Sequence, residues 1–402
     1  MRIVMNYLAA AGAAKTGVGH YTAELLRCLR QQSGEDVIDT FPGLLGQHAQ
    51  AAWMRFRSTR MPPPSVSTAP PKTTARLSLR QRMFQALRTS GRVARRTIFR
   101  QLCRWKNYDL YHEPNFIPLP CDCPTATTLH DLSVLLHPEW HPAERVAQFE
   151  EHFRRGLAQC IHFFTVSDFV RREVIQTLGL APHQVTRTYN GIRPGLVPLP
   201  SAEVAETLRG LDLPQRYLLY VGTIEPRKNI MTLLHAYCSL PEQVRSNWPL
   251  LLVGGWGWNA ADVAEFLESG ARQRGVLYRN YIAEEHLAAL YNGARALVFP
   301  SFYEGFGLLP VEMLACGGAV LASTAGALVE TVGGQAHLIE PLDLDGWRQA
   351  IQRVVTDDDW WHSLRKGAVE TAKPFTWERC AADTLHAYRE LCGEREPLKR
   401  AA

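Results

Sequence analysis

The sequence predicts an α/β protein built from two doubly wound domains, and three observations support this fold class. Short apolar runs typical of buried strands alternate with longer segments whose apolar residues recur at helical spacing. Strands that alternate with helices in this way imply parallel sheets covered by helices on both faces. A segment with three prolines and one glycine, 194–200, separates two halves that each show the alternation. The length of 402 residues is sufficient for two domains of ordinary size.

In the first half, six short runs rich in apolar and β-branched residues predict strands. These runs lie at 2–8, 37–41, 110–112, 125–129, 163–166 and 185–189. Apolar residues at helical spacing predict helices between them at 19–32, 143–160 and 168–178. The first domain is therefore expected to span 1–195.

The second half repeats the pattern, and we expect the second domain to span 196–376. Its predicted strands are 217–221, 250–253, 276–278, 296–299 and 319–322, and its predicted helices are 230–239, 261–274, 284–294 and 310–316. The remaining segment, 377–402, is predicted to be helical and to cross back to the first domain. Ligands of such sheets bind outside the carboxyl ends of the strands, so two facing sheets would place an active site in the cleft between them.

The composition limits the class of protein. A chain with 46% apolar residues is ordinary for a globular protein and not typical of a disordered one. No apolar run approaches the roughly 20 residues of a membrane-spanning helix. The first apolar run is too short for a secretory signal and is better explained as a strand. The nine cysteines lack zinc-site spacing or a disulfide framework, so we expect free thiols in the cytoplasm.

Positive charge is concentrated in one basic insert, 55–106, which holds 14 of the 44 Lys and Arg residues and no Asp or Glu. Its second part combines arginines with apolar residues at helical spacing and ends near Trp105. Such a basic amphipathic helix is typical of proteins on an anionic membrane surface, and we predict that 76–106 binds one. The alternative is a helix buried on one side with a hydrated basic face. No nucleic-acid partner is expected, because no nucleic-acid-binding fold accompanies the insert.

Two glycine-rich turns follow predicted strands and lead into predicted helices. The first contains Gly17 and Gly19, and the second begins at Gly222 and ends with Arg227 and Lys228. The first is neither a dinucleotide-binding fingerprint nor a Walker loop, because its glycine spacing and the position of its lysine differ. Glycines let backbone amides approach an anion, and adjacent basic residues can meet a diphosphate. We predict that both turns approach a diphosphate; a plain strand–helix turn and a solvent-exposed basic pair are the alternatives.

The most informative stretch is 301–312, which follows a predicted strand. It carries Glu304 and Glu312 eight positions apart, with a Gly-x-Gly turn that begins at Gly305. Pro310 suits the first turn of a helix, and helix N-termini favour negative charge. The pattern therefore offers free backbone amides to a phosphate or sugar and two carboxylates to hydroxyl groups such as those of a ribose.

These motifs together resemble those of retaining glycosyltransferases of family 4, which have the GT-B fold of two Rossmann-like domains facing across a cleft. The segment 304–312 is similar to the family's E-x7-E signature, and 222–229 is similar to its diphosphate-binding turn. In the first domain, 16–19 and the pair at 130–131 match as well. The resemblance covers nearly the whole chain outside the basic insert. It is greatest to bacterial mannosyl- and rhamnosyltransferases.

The resemblance implies roles for individual residues. Glu312 would bind the ribose, Glu304 and the amides after it would hold the sugar, and Arg227 and Lys228 would neutralise the diphosphate. The catalytic residues so implied are His130, Arg227, Lys228 and Glu304. The donor-binding residues so implied are Gly17, Gly19, Gly222, Tyr281, Ile282, Gly305, Phe306, Gly307, Leu308 and Glu312, of which Tyr281 and Ile282 would contact the base.

The activity implied is retaining transfer of a hexose, with mannose from GDP-mannose favoured, to a hydroxyl of a lipid-linked or oligosaccharide acceptor. The pathway implied is bacterial surface polysaccharide or lipopolysaccharide synthesis. The nucleotide sugar is a substrate, no cofactor is expected, and no DxD metal motif is evident in the predicted turns of the site, which predicts no metal. We expect a cytoplasmic protein, peripheral on the inner face of the cytoplasmic membrane. Rhamnose or glucose donors, a GT-B sugar-nucleotide epimerase and a membrane-surface scaffold with an inactive site are the alternatives.

Overall fold

A computed structural model describes residues 1–11, 17–43 and 79–393, and for 79–92 it describes the helix backbone only. Within these residues the chain forms two parallel six-stranded sheets flanked by helices, which confirms the predicted fold class. Strands are numbered β1–β12 and helices α1–α16 in chain order. Parts of the predicted first glycine turn (12–16), basic insert (55–78) and last segment (394–402) lie outside the described residues.

The first sheet has the strand order β2-β1-β3-β4-β5-β6, with all neighbouring strands parallel. Its strands are β1 (Arg2–Asn6), β2 (Val37–Phe41), β3 (Leu110–Glu113), β4 (Thr125–Leu129), β5 (Cys160–Thr165) and β6 (Val185–Arg187). The helices of this domain are α1 (Gly17–Gln32), α2 (Leu79–Lys106), α3 (Ser133–Leu136), α4 (Ala143–Gln159) and α5 (Asp168–Leu178). Short 3-10 turns lie at Pro138–Trp140 and Pro182–Gln184.

The second sheet has the strand order β12-β11-β10-β7-β8-β9 and is also parallel throughout. Its strands are β7 (Leu218–Val221), β8 (Leu250–Val253), β9 (Val276–Arg279), β10 (Leu297–Phe299), β11 (Val320–Ser323) and β12 (His337–Ile339). The helices are α6 (Ser201–Gly210), α7 (Ile230–Cys238), α8 (Glu242–Asn247), α9 (Ala261–Glu268), α10 (Leu287–Gly293), α11 (Leu308–Ala315), α12 (Leu328–Val332), α13 (Leu344–Thr356), α14 (Asp358–Arg365), α15 (Ala368–Ala372) and α16 (Trp377–Gly393). The 3-10 turns are Pro226–Lys228, Arg272–Arg274 and Glu284–His286.

Strand order places the functional turns of the second domain. Strands β7, β8 and β9 follow one another from the centre of the sheet towards one edge. Strand β10 pairs with the other side of β7. The carboxyl ends of β7 and β10 therefore flank a topological switch point, where ligands of such sheets bind. The loop after β7 begins at Gly222 and the loop after β10 contains Glu304. Two motifs that are far apart in the sequence thus meet at one edge of the sheet.

Several predicted boundaries shift for local physical reasons. The helix predicted at 261–274 ends at Glu268, because Gly270 with a φ of 90° turns the chain into the 3-10 turn at Arg272–Arg274. The helix predicted at 284–294 opens with a 3-10 turn, so α10 begins at Leu287. Strand β12 was not predicted. It has three residues, the first of them exposed, and it lies at the sheet edge, so its apolar run is too short to stand out.

Helix α16 follows the second domain in the chain but packs on the first. It lies against α1, and Tyr388 and Leu385 on it are buried. The Tyr388 hydroxyl hydrogen bonds with Nδ1 of His112 on β3, and Gln32 Nε2 donates to the Glu378 carbonyl at 2.9 Å. The hydrophobic core on this face of the first sheet therefore includes side chains from the last described helix.

Helix α2 is buried on one side and exposed on the other. Phe99 and Cys103 on its inner side pack against Phe41 and Tyr111 of the first sheet. On the outer side the exposed fractions of Val93, Ile98 and Trp105 are 57%, 58% and 79%. Arg100 and Arg104 on the outer side both pair with Asp122, at 2.8 and 2.7 Å. No helix in the described residues combines the length and apolar character needed to cross a bilayer.

Candidate active site

A cavity of about 640 Å³ lies in the cleft between the two sheets, with walls from both domains. Gly17 and His20 reach it from α1, and the loops after β7 and β10 close its opposite side. Eight of the predicted site residues line it: Gly17, Gly222, Arg227, Lys228, Tyr281, Ile282, Glu304 and Leu308. The other six do not line it: Gly19, His130, Gly305, Phe306, Gly307 and Glu312.

Glu304 is the centre of a buried charged cluster on the cavity wall. Lys228 Nζ donates to Glu304 Oε1 at 2.6 Å, and Arg227 Nη1 donates to Oε2 at 3.0 Å. Burial disfavours the charged carboxylate, but the positive charges of Lys228 and Arg227 outweigh it and lower the pKa of Glu304 to about 2. Glu304 is therefore ionised at neutral pH.

The two cations of this cluster differ in their surroundings. Burial, together with the charge of Arg227, lowers the pKa of Lys228. Arg227 also donates to Glu225 at 2.9 Å and to the Tyr303 carbonyl at 2.9 Å, so four hydrogen bonds to three acceptor residues fix its guanidinium. Lys228 is thus the more loosely held of the two positive groups, and Arg227 is the more rigid.

The backbone after β7 aims these cations at the cavity. Gly222 has a φ of 148°, and a side chain on Gly254 would collide with the Gly222 carbonyl, so both positions require glycine. The chain then forms the 3-10 turn Pro226–Lys228 and enters α7 through Asn229, which has a φ of 54°. Asn229 Nδ2 donates to the Pro300 carbonyl at 3.0 Å and so ties this turn to the loop after β10.

The turn at 305–307 brings the N-terminus of α11 to the cavity. Gly307 has a φ of 87°, and the helix begins at Leu308, which lines the cavity. A Cβ atom on Gly305 would collide with the His130 carbonyl of the first domain. Ser167 Oγ, also in the first domain, donates to the Gly305 carbonyl at 2.7 Å. The glycine turn is therefore a contact between the domains as well as the start of a helix.

His130 lies at the carboxyl end of β4 but its ring is not part of the cavity wall. Its Nε2 donates to the Pro114 carbonyl at 2.8 Å, which assigns the proton to that nitrogen because a carbonyl can only accept. The ring packs edge-on against Tyr21 at 4.7 Å. Burial lowers the pKa of His130, so the imidazole is neutral at physiological pH.

Glu312 on α11 is fully buried and lies behind Arg193. Arg193 Nη1 donates to both carboxylate oxygens at 2.6 Å, and the Tyr291 hydroxyl donates to Oε2 at 3.0 Å. Burial raises the pKa of Glu312, and the charge of Arg193 opposes the shift. Arg193 belongs to the segment between the domains and lines the cavity itself.

Sequence reasoning missed four ionisable residues on the cavity wall: His20, Arg193, Glu225 and Glu284. Glu284 Oε1 lies 3.3 Å from Arg193 Nε and 3.6 Å from His20 Nδ1, so it bridges to the segment between the domains and to α1. Arg193 and Glu284 lie outside both glycine turns and the glutamate pair, and His20 directly follows Gly19. Glu225 lies within the predicted turn 222–229 and could have been identified from its position beside Arg227.

Further contacts hold the two domains together outside the wall of the cavity. The Glu330 carboxylate of the second domain accepts from the Asp168 and Phe169 amides at the start of α5, at 2.7 and 2.8 Å. Trp258 Nε1 donates to the Trp140 carbonyl at 2.8 Å. The two domains therefore contact each other directly through side chains that do not line the cavity.

In the described residues, no group of three His, Cys, Asp or Glu side chains is arranged to hold a metal ion. The positive charges that line the cavity are instead those of protein side chains, chiefly Arg193, Arg227 and Lys228. The nine cysteines are all free, and none lines the cavity.

Comparison with known proteins identifies the family. A family model described as Glycosyltransferase Family 4 matches residues 15–196, and one described as Glycosyl transferases group 1 matches residues 208–373. The chain is 38% identical over 289 residues to O-antigen chain mannosyltransferase B of Escherichia coli, which covers 71% of this chain and 75% of that protein.

Solved structures agree with the fold. Sucrose-phosphate synthase of Thermosynechococcus elongatus superposes with a TM-score of 0.69 at 22% identity, covering 98% of this chain and all of that one. Anabaena HepE in complex with UDP and glucose superposes with a TM-score of 0.64 at 16% identity, covering 96% of this chain and all of that one. These likenesses establish a GT-B architecture. Together with the family models and the similar mannosyltransferase, they show that the chain belongs to the family 4 glycosyltransferases.

Proposed function

We propose that this glycosyltransferase moves mannose from GDP-mannose, with retention at the anomeric carbon, to a hydroxyl of a lipid-linked glycan in bacterial surface polysaccharide synthesis. The observation that carries the proposal is the buried cluster of Glu304, Lys228 and Arg227 at the switch point of the second sheet, facing the cleft. The similarity to an O-antigen chain mannosyltransferase supports the sugar and the pathway. The complex of HepE with UDP and glucose supports a nucleotide sugar as the ligand of this fold.

The cluster suits a diphosphate beside a sugar. Lys228 and Arg227 place two positive charges at the cavity wall, and the first turn of α11 lies there at Leu308 and Leu309. Cations and a helix N-terminus both favour an anion. Glu304 forms ion pairs with both cations, and its carboxylate can also accept hydrogen bonds from the hydroxyl groups of a sugar. One set of charges would thus hold the transferred sugar and the phosphates that leave it.

Retention is proposed from the family resemblance, and the state of Glu304 indicates that it does not proceed through a covalent intermediate. A carboxylate that accepts hydrogen bonds from two cations and has a pKa of about 2 is a weak nucleophile. Transfer without a covalent intermediate is therefore favoured. The acceptor oxygen bonds to the anomeric carbon on the face from which the diphosphate departs, the bond from that carbon to the phosphate oxygen breaks, and the acceptor proton passes to that oxygen. Lys228 and Arg227 stabilise the charge that develops on the departing phosphate.

No metal ion is needed in this proposal. The charge of a departing diphosphate is often met by a divalent cation, but here side-chain cations already face the place where it develops. Arg227 is fixed by its bonds to Glu225 and Glu304 before any ligand arrives, so little reorganisation accompanies the reaction.

A guanine base is supported at the other end of the cavity. Tyr281 there is 76% exposed, so its ring is available to pack on a base, and Ile282 lies beside it. The Glu284 carboxylate also lines the cavity. Guanine presents an N1–H and an amino group side by side, and one carboxylate can accept from both. Uracil and thymine offer a single N–H, which matches this wall less well.

The exposed side of α2 is the basis for the proposed acceptor and for the proposed location of the protein in the cell. Its exposed side combines Val93, Ile98 and Trp105 with Arg96 and Arg100. Exposed apolar and aromatic side chains together with exposed arginines on one helix suit the interface of an anionic membrane. A lipid-linked glycan is anchored in that membrane, and α2 belongs to the domain that faces the donor across the cleft. We therefore place the protein peripherally on the inner face of the cytoplasmic membrane.

The test is a transfer assay with purified protein, a lipid-linked glycan acceptor and a panel of GDP-mannose, GDP-rhamnose, dTDP-rhamnose and UDP-glucose. We expect the mass of the acceptor to increase by one hexose with GDP-mannose only. Nuclear magnetic resonance coupling constants of the product should show that the new glycosidic bond has the anomeric configuration of the donor. The Glu304→Gln variant is the control for contaminating activity. Transfer from another donor alone would refute the donor, an inverted product would refute retention, and conversion of a nucleotide sugar without acceptor would indicate an epimerase.

A further inference from the structure

We propose that Arg193 is a second ribose-binding residue, which acts with Glu312 as one paired group that recognises the vicinal hydroxyls of the donor's ribose. The inference rests on the proposed nucleotide-sugar donor. It assigns a role to a residue outside both glycine turns and the glutamate pair. It also explains how Glu312 can serve the donor although its side chain is fully buried.

The position of Arg193 carries the first step. Glu312 does not line the cavity, whereas Arg193 does, and Arg193 Nη1 contacts both carboxylate oxygens at 2.6 Å. A ligand in the cavity therefore meets the guanidinium at this wall together with the carboxylate behind it. Any hydroxyl that reaches Glu312 must pass beside Arg193.

Unused hydrogen-bonding capacity carries the second step. Each carboxylate oxygen can accept two hydrogen bonds. Glu312 Oε2 accepts from Arg193 Nη1 and Tyr291, Oε1 accepts from Arg193 Nη1, and the Arg193 backbone amide also hydrogen bonds with the carboxylate. Among the described residues, the hydrogen bonds of the Arg193 guanidinium come from Nη1, and Nε is buried without a hydrogen-bond partner. The pair thus presents a carboxylate and guanidinium N–H groups side by side, and a diol with adjacent oxygens can donate to the first and accept from the second.

The charge of the surroundings points to the ribose and not to the diphosphate. Arg193 is flanked by two carboxylates, Glu312 at 2.6 Å and Glu284 at 3.3 Å. Its positive charge is therefore already compensated, which makes this wall a poor site for phosphate. Lys228 and Arg227 lie at the Glu304 end and suit phosphate better. Neutral hydroxyl groups are well matched to a compensated ion pair, because it offers donors and acceptors together.

The backbone fixes Arg193 at the boundary of the domains. A side chain on the nearby Gly191 would collide with the backbone of Trp377, and the Ile192 amide donates to the Phe375 carbonyl at 3.1 Å. The segment that carries Arg193 is thus held against the point where the chain crosses back to the first domain. Its side chain is positioned before a ligand arrives, as a recognition residue requires.

The experiment compares GDP with 2′,3′-dideoxy-GDP by calorimetry. The wild-type protein is expected to bind GDP at least tenfold more tightly, because the dideoxy compound leaves polar groups of the pair unmatched. In Arg193→Gln this preference should fall to within about threefold. Arg193→Lys keeps the ion pair but lacks the second arm, so it should fold normally and recover only part of the preference.

The matched control is Arg279→Gln, which removes an arginine paired with Asp212 at 3.8 Å outside the cavity. It should leave the preference for GDP unchanged. If Arg193 only supports the fold, Arg193→Gln will weaken both ligands equally and keep the wild-type preference, which overturns the inference. Equal binding of the two ligands by the wild type overturns it as well. Binding of no nucleoside diphosphate by the wild type would refute the proposed donor itself.

Discussion

The backbone of Gly305 in the second domain lies directly against the carbonyl oxygen of His130 in the first, with no room for a side chain between them. The contact joins the end of β4 to the turn before α11. It holds the predicted catalytic histidine and the Glu304 cluster next to each other, so the relative position of the domains depends on a residue without a Cβ atom.

We expect Gly305→Ala to lower turnover at least tenfold, because the new methyl group must push the domains apart or displace the His130 loop. The melting temperature should fall less than it would if the same methyl group collided inside the core of one domain, because the two domains can move relative to each other. Steady-state kinetics measures the turnover, and thermal unfolding measures the melting temperature. Small-angle scattering detects whether the domains have moved apart. Gly334→Ala is the control, since no heavy atom lies within 4 Å of a Cβ there. Full activity in Gly305→Ala would show that the contact does not position the site.

Lys228→Met should reduce turnover about a hundredfold in protein that is still folded at the assay temperature, although loss of one buried ion pair will lower the melting temperature. The lysine faces the charge that develops on the departing diphosphate, and loss of one such stabilising group typically costs that much. Arg227 remains to pair Glu304, so the fold retains a partner for the buried carboxylate. The control is Lys373→Met, which removes an exposed lysine paired with Glu370. A collapsed melting temperature with full residual activity would assign Lys228 a structural role.

Acid should destabilise the wild-type protein through Glu304. Its pKa falls from 4.5 to about 2 on folding, so its ion pairs stabilise the protein above pH 4.5 and are lost as the pH falls toward 2. Urea unfolding at pH 7, 5, 4 and 3 should show a constant advantage of wild type over Glu304→Gln from pH 7 to 5. That advantage, about 3 kcal/mol at most from the pKa difference, should shrink below pH 4.5. An advantage that does not vary with pH would contradict the ion-pair origin.

EDTA is expected to leave transfer activity within about twofold of its untreated value, because Arg227 and Lys228 supply the positive charge at the diphosphate. Dialysed enzyme should not be activated by added Mg²⁺ or Mn²⁺. A metal-dependent glycosyltransferase assayed in parallel confirms that the chelator works. Activity that disappears with EDTA and returns with either ion would show that a metal takes part.

Membrane binding should depend on the outer side of α2. Vesicles with phosphatidylglycerol should retain the wild-type protein at low salt and release it as salt screens the charges. The variant Arg96→Gln, Arg100→Gln and Trp105→Ala should bind at least tenfold less. These positions lie on the exposed side, whereas Arg95 is only half-exposed and its charge acts on the buried Glu113.

The control for that experiment removes the same number of charges from the second domain, through Arg209→Gln and Arg272→Gln, both exposed. It should bind as the wild type does. Equal retention of all three proteins, or retention of none on anionic vesicles, would refute the membrane proposal and leave the donor chemistry unaffected.

Local patterns predicted the turns of the site well. Gly222, Gly305 and Gly307 mark backbone positions where a side chain cannot fit or where φ is positive, and such positions are visible in the sequence as glycines. Lys228 and Glu304 are adjacent to these glycines, so the same motifs identified them. The alternation of strands and helices was likewise sufficient for the fold class, because burial on both faces requires apolar runs.

Contacts between distant segments could not be predicted in the same way. Arg193 and Glu312 are 119 positions apart, and their ion pair depends on how the segment between the domains lies against α11. Glu284 is an exposed acidic residue, and the surface helices of any protein contain many such residues, so its sequence position does not distinguish it. Strand β12 depends on its neighbour β11 and not on its own three residues. These features follow from tertiary packing, which periodicity and spacing do not encode.

Helix α16 has a consequence for the order in which the molecule folds. All strands of the first domain are synthesised before the second domain, yet the helix that completes its core, with Leu385 and Tyr388 buried against it, is synthesised after all twelve strands. Residues 201–372 contain every described strand of the second sheet, and α16 packs chiefly against α1 of the first domain. During translation the second domain can therefore reach its native state first. The first domain keeps one apolar face exposed until α16 has been synthesised. A ribosome that stalls before Trp377 would release a chain with a finished second domain and an incomplete first one, a natural substrate for chaperones.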